Sequence, residues 1–411
     1  MNITYYPVDP VIYTPLPGAD PSYPGKPKNA ATPVAISILD LVLHTRLNAS
    51  ETYDIPVSLD WLEGLFESFT EQDAVANLCA RRYGALHQDF TSTFSKLLGV
   101  GLSLAIATKQ ENFTFFVPLR CCVGTQSRMY GGRHKWPLYI AHTIPHAWRF
   151  EKLSLPEYEE VLMPDLVLMD WDPADNPRFS VLEAKGKDKP IDTDAYFEYP
   201  KWKHQAENAR LVAVRLPGAP ATPPLLFRKI LSVVAVRPKL KLQDGRKIQC
   251  RWFNEMNHEN VRIPNAWALE VIAIHYSYCA RKLGFYELSD AIDAALLRLE
   301  VSADLAAMAP SHPELGEMRF PPRMPHDDLV PFMTLETLKL IRMLVDRLAG
   351  PADDGADASV IAAARAHTHL DHTENLTKFG DGHISILPSG IGIVKIRRHW
   401  FMRSRWPQAV R

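Results

Sequence analysis

The chain is poor in the features that would place it outside ordinary intracellular globular proteins. Only five of its 411 residues are cysteine, and although Cys121 and Cys122 are adjacent, no Cys-x-x-Cys occurs. An odd, sparse set of this kind argues against a disulfide framework and against a zinc ribbon, and fits a reducing compartment. No long apolar run is present. The most apolar stretch, Leu97 to Thr108, is too short to cross a bilayer and contains Gly99 and Gly101. The first residues, Met1-Asn2-Ile3-Thr4-Tyr5-Tyr6-Pro7, lack the basic start and apolar core of a secretory signal. The expectation is therefore a cytoplasmic protein with no membrane segment. Excess charge of either sign is also missing: the formal net charge is −1, so any attraction for a polyanion has to come from local patches. With 46% hydrophobic residues, a substantial core is expected and global disorder is excluded.

The chain is rich in proline near its start. Residues 1–34 carry Pro7, Pro10, Pro15, Pro17, Pro21, Pro24, Pro27 and Pro33, which predicts an extended segment on the surface rather than a helix or a central strand. Residues 35–89 read as a helical region. Leu59, Leu62, Leu65, Phe66 and Phe69 recur there at helical spacing. A largely apolar helix is predicted over 91–109, then strands from Phe113 to Leu119, Val161 to Asp170 and Phe179 to Lys185. A helix near Tyr196 to Val214 and a strand near Leu231 to Val236 follow. The first two strands are separated by a Gly-, His- and Trp-rich insertion at 121–150, long for a compact core. After Pro238 the pattern turns helical, with helices predicted from Asn265 to Leu283 and from Leu288 to Val301. A further helix, Leu335 to Ala349, is capped by Thr334 and stopped by Gly350. Residues 351–411 supply a linker, a short helix and a hairpin, His383 to Leu387 with Ile391 to Ile396, before a basic tail.

Two of the predicted strands carry the chemistry. Met163-Pro164-Asp165-Leu166-Val167-Leu168-Met169-Asp170 and Phe179-Ser180-Val181-Leu182-Glu183-Ala184-Lys185-Gly186 are apolar runs that each carry a carboxylate, with 17 residues between Asp165 and Glu183. Strand periodicity puts Glu183 and Lys185 on one face and turns Ala184 away. If the strands pair, Asp165 joins them. Two carboxylates can hold a divalent cation, and a neighbouring lysine can orient water or offset developing negative charge. The bland alternative is a hairpin with solvated charges. Asp170, at the strand end, reads more simply as a turn residue.

Pro164-Asp165 with Glu183-Ala184-Lys185 resembles the signature of the PD-(D/E)XK nuclease superfamily, over roughly residues 90–240. The predicted order of elements, helix, three strands, helix, strand, is that of the family's common core. The resemblance implies an α/β fold with a restriction-endonuclease-like core, a mixed sheet flanked by helices over 90–250. To this the sequence adds an N-terminal extension and, over 251–350 and 351–411, a helical C-terminal region ending in a β-hairpin. It also implies a Mg²⁺-dependent phosphodiesterase, for which Mn²⁺ can substitute. Asp165, Glu183 and the backbone carbonyl of Ala184 would hold the metal, and Lys185 would position or help deprotonate the attacking water. Gln205 matches a helix glutamine found in some relatives; position 209 is alanine where the RecB-like subgroup has tyrosine. Many relatives carry a further acid on the first core helix. The stretch 91–109 has none, its nearest acids being Asp89 and Glu111.

Basic residues mark where nucleic acid could run. Arg228 to Arg251 holds eight lysines and arginines against the single acid Asp244, and the tail from Lys395 interleaves arginines with Trp400, Phe401 and Trp406. Lys187, Arg237, Lys239, Lys241, Arg397 and Arg398 are the candidate phosphate contacts. DNA is the expected substrate ahead of RNA, with a regulatory or targeting protein as a further partner and host defence or a toxin-like effector role as the setting. Two rival readings remain. One is a non-cleaving nucleic-acid-binding or scaffold protein on the same fold. The other is a zinc hydrolase centred on His367-Thr368-His369-Leu370-Asp371-His372, which spells the His-x-His-x-Asp-His signature of metallo-β-lactamase-fold hydrolases. Only 39 residues follow His372, too few to supply that fold's remaining ligands. The preceding Ala-rich run makes a histidine-rich helix end the simpler account.

Overall fold

The computed structural model describes residues 2–8, 32–48, 58–69, 77–78, 88–119, 148–152, 164–187, 209–213, 228–236, 246–255, 263, 265–297, 299, 301, 304–311, 318–322, 328–351, 353–370 and 384–396. They form a mixed α/β protein built on a mixed sheet flanked by helices. The strands of that sheet are β1 (Asn2–Val8), β2 (Thr32–Ala35), β3 (Asn77–Leu78), β4 (Phe115–Pro118), β6 (Leu166–Trp171), β7 (Pro177–Lys187), β9 (Arg228–Val236) and β10 (Arg246–Glu255). They run in the order β2-β1-β10-β9-β7-β6-β4, with β3 paired to β10. A separate ribbon pairs β5 (Trp148–Lys152) with β8 (Ala209–Ala213).

Three strands, β4, β6 and β7, form an antiparallel meander, and β9 lies parallel to β7. A parallel neighbour cannot be reached by a tight turn, so the chain must cross over between residues 187 and 228. The β6–β7 turn is built by Asp172, whose carboxylate accepts the amides of Ala174 and Asn176, both at 2.8 Å, while Asp175 takes φ 71°. In β6 the first five residues are all buried, as expected for a strand covered on both faces.

Helix α3 (Gln88–Lys109) lies on one face of this sheet, following α1 (Ile38–Asn48) and α2 (Leu59–Phe69) in the chain. It touches the sheet through small residues: the Ser103 hydroxyl meets that of Ser232 on β9 at 2.7 Å, and Ser232 in turn meets Cys250 on β10 at 3.4 Å. Helix α4 (Asn265–Lys282) packs against β4 and meets β7 from the other face, where Phe179 meets Trp267 with ring centroids 5.7 Å apart. Its fully buried His275 bonds the backbone of Phe116.

Helices α5 (Tyr286–Leu296), α6 (Leu305–Met308), α7 (Leu335–Ala349) and α8 (Asp354–Thr368) follow. With them goes a second sheet, in the order β11 (Met318–Arg319), β12 (Leu329–Thr334), β14 (Ile391–Lys395), β13 (Ile384–Ile386). The expected hairpin is β13–β14, widened by β12 and β11. Thr334 caps α7 by accepting the Thr337 amide, and Gly350 ends it. A buried polar knot fastens the second sheet to α1 and α3. There the Asp40 carboxylate accepts from Lys109 at 2.5 Å and from Ser385 at 2.6 Å, and His44 bonds the Thr108 hydroxyl at 2.8 Å. Among the described residues no helix is long and apolar enough to cross a membrane.

Three local expectations change. β1 is an interior strand, paired with β10 on one side and β2 on the other, not a surface wrap. Pro7 is tolerated because β2 pairs only Asn2 to Tyr5, leaving that edge of β1 open at Pro7. The basic run before Arg251 contains β10, a strand, where no element had been assigned ahead of the helix at Asn265. Its apolar alternation, Ile248, Cys250 and Trp252, is the signal that the interleaved charge obscured. Ala209–Ala213, the predicted end of a helix, is a strand because it pairs with β5.

Candidate active site on strands β6 and β7

The β6–β7 ladder pairs Leu166 with Leu182, so Asp165, one residue earlier, falls beside Glu183. Two contacts hold Asp165 in place. Its carbonyl accepts the Leu119 amide at 3.1 Å, which ties it to the end of β4, and its Oδ2 accepts the Ala184 amide at 2.8 Å. Glu183 is fully buried, and Lys185, two residues on, sends its ammonium to Glu183 Oε1 as an ion pair. The lysine side chain remains 25% exposed, so the ion pair is the route from solvent to the buried carboxyl.

The electrostatics follow from this crowding. Burial raises the Asp165 carboxyl above its usual range, against the opposing pull of the Lys185 charge and the Ala184 amide. Glu183 is raised further, first by burial and then by the negative charge of Asp165, with Lys185 acting in the opposite direction. The Lys185 ammonium, and after it the Asp165 backbone amide, are what offset the Glu183 charge. Two adjacent carboxyls that resist ionising together form a place where a cation gains most, since added positive charge relieves both. The donor set is all oxygen, which suits Mg²⁺ or Mn²⁺. Among the described residues there is no group of three or more His, Cys, Asp or Glu side chains arranged to hold a metal. Asp165 and Glu183 are a pair, with backbone oxygen and solvent left to complete any shell.

Lys187 lies on the same face as Lys185, next along β7. Gln205, Arg237, Lys239, Lys241, Arg397 and Arg398 lie outside the described residues. Several other charged candidates are committed elsewhere. Asp170 forks with Arg178 across the hairpin, with Nε donating to Oδ1 at 2.9 Å, away from Asp165. Arg228, the first residue of the basic run, pairs with Glu111 at 3.2 Å and lies over the Phe113 ring at 5.6 Å. That pairing also takes up the acid that follows the first core helix. Lys395, at the start of the basic tail, pairs with Glu63 at 2.9 Å. His367 is buried, its Nε2 3.2 Å from both the Thr337 hydroxyl and the Ser389 carbonyl, whereas His369, the residue capping α8, is exposed. Asp371 and His372 lie outside the described residues.

What the sequence reading missed is how the motif strand is seated. Gly186, directly after Lys185, is a contact residue for α3: a Cβ there would lie 1.8 Å from the Ser95 carbonyl oxygen. The Gly99-Val100-Gly101 pattern in the helix was the available signal. No protein-family model, no curated protein and no solved structure matches this chain, so the site stands on its own geometry.

Proposed function

We propose that the protein is a metal-dependent nuclease that hydrolyses phosphodiester bonds in DNA, on a restriction-endonuclease-like core. The observation that carries this reading is the convergence of Asp165, Glu183 and Lys185 at one point of the β6–β7 pair, a partly buried and a fully buried carboxyl with one ammonium that is a quarter exposed. The order of elements supports it: helix α3, the meander β4-β6-β7, then β9 parallel to β7.

Asp165, Glu183 and the Ala184 carbonyl would hold Mg²⁺. When bound, the cation polarises the phosphoryl oxygen and supplies an acidified water. The protein's own part is more specific. The Ala184 amide fixes the Asp165 carboxylate, and burial keeps the Glu183 carboxylate from being swamped by solvent. Lys185 directs its ammonium at the Glu183 carboxylate and can stabilise an attacking water or the charge that develops on the phosphate. With Asp170 and Glu111 both engaged in ion pairs, the reading rests on two carboxylates.

The test is to incubate purified protein with linear, circular and single-stranded DNA, and with RNA, in Mg²⁺ or in EDTA. Cleavage that requires Mg²⁺ and is lost in Asp165→Asn and Lys185→Ala, with unfolding transitions retained, supports the assignment. Cleavage that persists in both variants, or none from the wild type on any of these substrates, overturns it.

A further inference from the structure

The ammonium of Lys185 already engages the carboxylate that a metal ion would need. Glu183 is fully buried, and its Oε1 receives the Lys185 ion pair. The same positive charge acts on Asp165, lowering its carboxyl against the effect of burial. One ammonium thus serves both acids that would hold Mg²⁺. The register explains the crowding. Leu166 pairs with Leu182, so Asp165 falls beside Glu183, and Lys185 follows Glu183 on the same face of β7.

A carboxylate with no exposure needs a counter-charge, because burying it alone is costly. Lys185 meets that need, with the Asp165 amide after it. A divalent cation would meet it with twice the charge. The two cations repel each other, and Lys185 stands on the route from solvent to Glu183, its own side chain being 25% exposed. Lysine is suited to giving way. Its ammonium is a compact, strongly hydrated charge on a flexible aliphatic stem, so it can turn to water without breaking a planar fork of hydrogen bonds, as an arginine would. The strand has no freedom to follow, because Gly186 seats β7 directly on the Ser95 backbone of α3. Any exchange of cations is therefore confined to the lysine side chain.

We infer that Lys185 is an exchangeable counter-ion: it neutralises Glu183 in the metal-free protein, and Mg²⁺ binds by displacing its ammonium toward the substrate phosphate. The inference rests on the nuclease reading for its metal and substrate, and it adds an order of events to that reading. Lys185 opposes metal binding, and it becomes available to the phosphate only once the metal has taken its place.

The experiment follows the Lys185 ammonium and the Mg²⁺ affinity of the full chain at a single pH. Nitrogen NMR of lysine-labelled wild type, with Lys185 assigned by its absence in Lys185→Arg, is expected to show a protected ammonium in EDTA. Saturating Mg²⁺ should remove that protection. By calorimetry, Lys185→Met is expected to bind Mg²⁺ about tenfold more tightly than the wild type, or better, the low end of what one charge at ion-pair range does to a neighbouring equilibrium. Glu183→Gln should lose Mg²⁺ binding. A Lys185 ammonium unprotected in EDTA, or still protected at Mg²⁺ saturation, overturns the proposal. Equal or weaker Mg²⁺ affinity in a folded Lys185→Met overturns it too, as does Mg²⁺ binding in neither protein or undiminished binding in Glu183→Gln. If Lys185→Met fails to fold, the wild-type spectra decide alone. DNA cleavage is scored separately: Mg²⁺-dependent cleavage by a wild type whose Lys185 stays paired removes the exchange and leaves the nuclease reading standing.

Discussion

Gly99 of α3 and Gly186 of β7 meet backbone to backbone: a Cβ on Gly99 would come within 2.3 Å of the Gly186 Cα. The contact lies one residue beyond Lys185, so the helix bears directly on the strand that presents the two charged site residues. Gly101, one half-turn on, faces α1, where a Cβ would lie 2.1 Å from the Thr45 hydroxyl. The helix is thus pinned between its neighbours by absent side chains.

The first prediction concerns this seat. Gly186→Ala forces backbone against backbone and is expected to cost about 1–3 kcal/mol, the usual penalty for overpacking a rigid contact. Gly64→Ala is the matched control. It sits on exposed α2 with nothing within 4 Å of a new Cβ, and is expected to stabilise by about 0.5–1 kcal/mol through helix propensity. Denaturant unfolding of both variants checks the pair. Equal effects would remove the argument for a tight helix–strand seat.

A second prediction concerns metal. A cation that binds the folded site and not the unfolded chain stabilises by mass action, about 2.7 kcal/mol at a hundredfold excess over its Kd. Mg²⁺ or Mn²⁺ is expected to raise the unfolding midpoint of the wild type and to leave Glu183→Gln unmoved. Because Glu183 is fully buried beside Asp165 and both resist ionising, Glu183→Gln should also be more stable than the wild type in EDTA at neutral pH. An equal metal response in the two proteins would count against the pair as ligands.

Acid stability provides a third. Burial lowers His44 and His275 from 6.5 to about 4 in each case. Below pH 6.5 the unfolded chain takes up a proton on each imidazole while the folded protein does not, until its own value near 4 is reached. Their contribution is therefore complete above pH 6.5 and is lost as pH falls toward 4, by up to about 1.4 kcal/mol per pH unit for each histidine. The raised carboxyls of Asp165 and Glu183 act in the opposite direction over their own range, so the comparison must be with variants. His275→Gln is expected to flatten the fall in stability between pH 6.5 and 4, measured by urea unfolding across that range. An unchanged slope would mean that His275 is protonated in the folded protein.

The fourth prediction tests the polar knot that joins the two sheets. Asp40 is buried and accepts hydrogen bonds from Ser37, Lys109 and Ser385, which lie ahead of α1, on α3 and on β13. Asp40→Ala leaves those donors without their acceptor and is expected to cost about 2–4 kcal/mol. Lys109 is 36% exposed and can turn to solvent, so Ser385→Ala should account for about 1 kcal/mol of that loss and Lys109→Met for less than a full buried ion pair. Amide exchange along β13 would reveal whether the hairpin loosens with the knot.

Local pattern alone determined a good deal. The apolar runs around Leu166 and Val181, the turn chemistry of Asp172, the caps at Thr334 and Gly350, and the grouping of Glu183 with Lys185 on one face all follow from interactions within a few residues. Strands whose charge hides their alternation, such as β10, and a proline-bearing strand such as β1 were not legible, because what makes them strands is a partner far away in the chain. Tertiary structure alone decided that Asp165 lies beside Glu183, since that depends on the register of a ladder closed by a turn of its own. It also decided that Asp170, Glu111 and His367 are occupied by Arg178, Arg228 and Thr337. The division has one physical cause. A sequence states which side chains a strand can offer to a face, but pairing across strands, where neighbouring backbones lie about 5 Å apart, determines which of them meet.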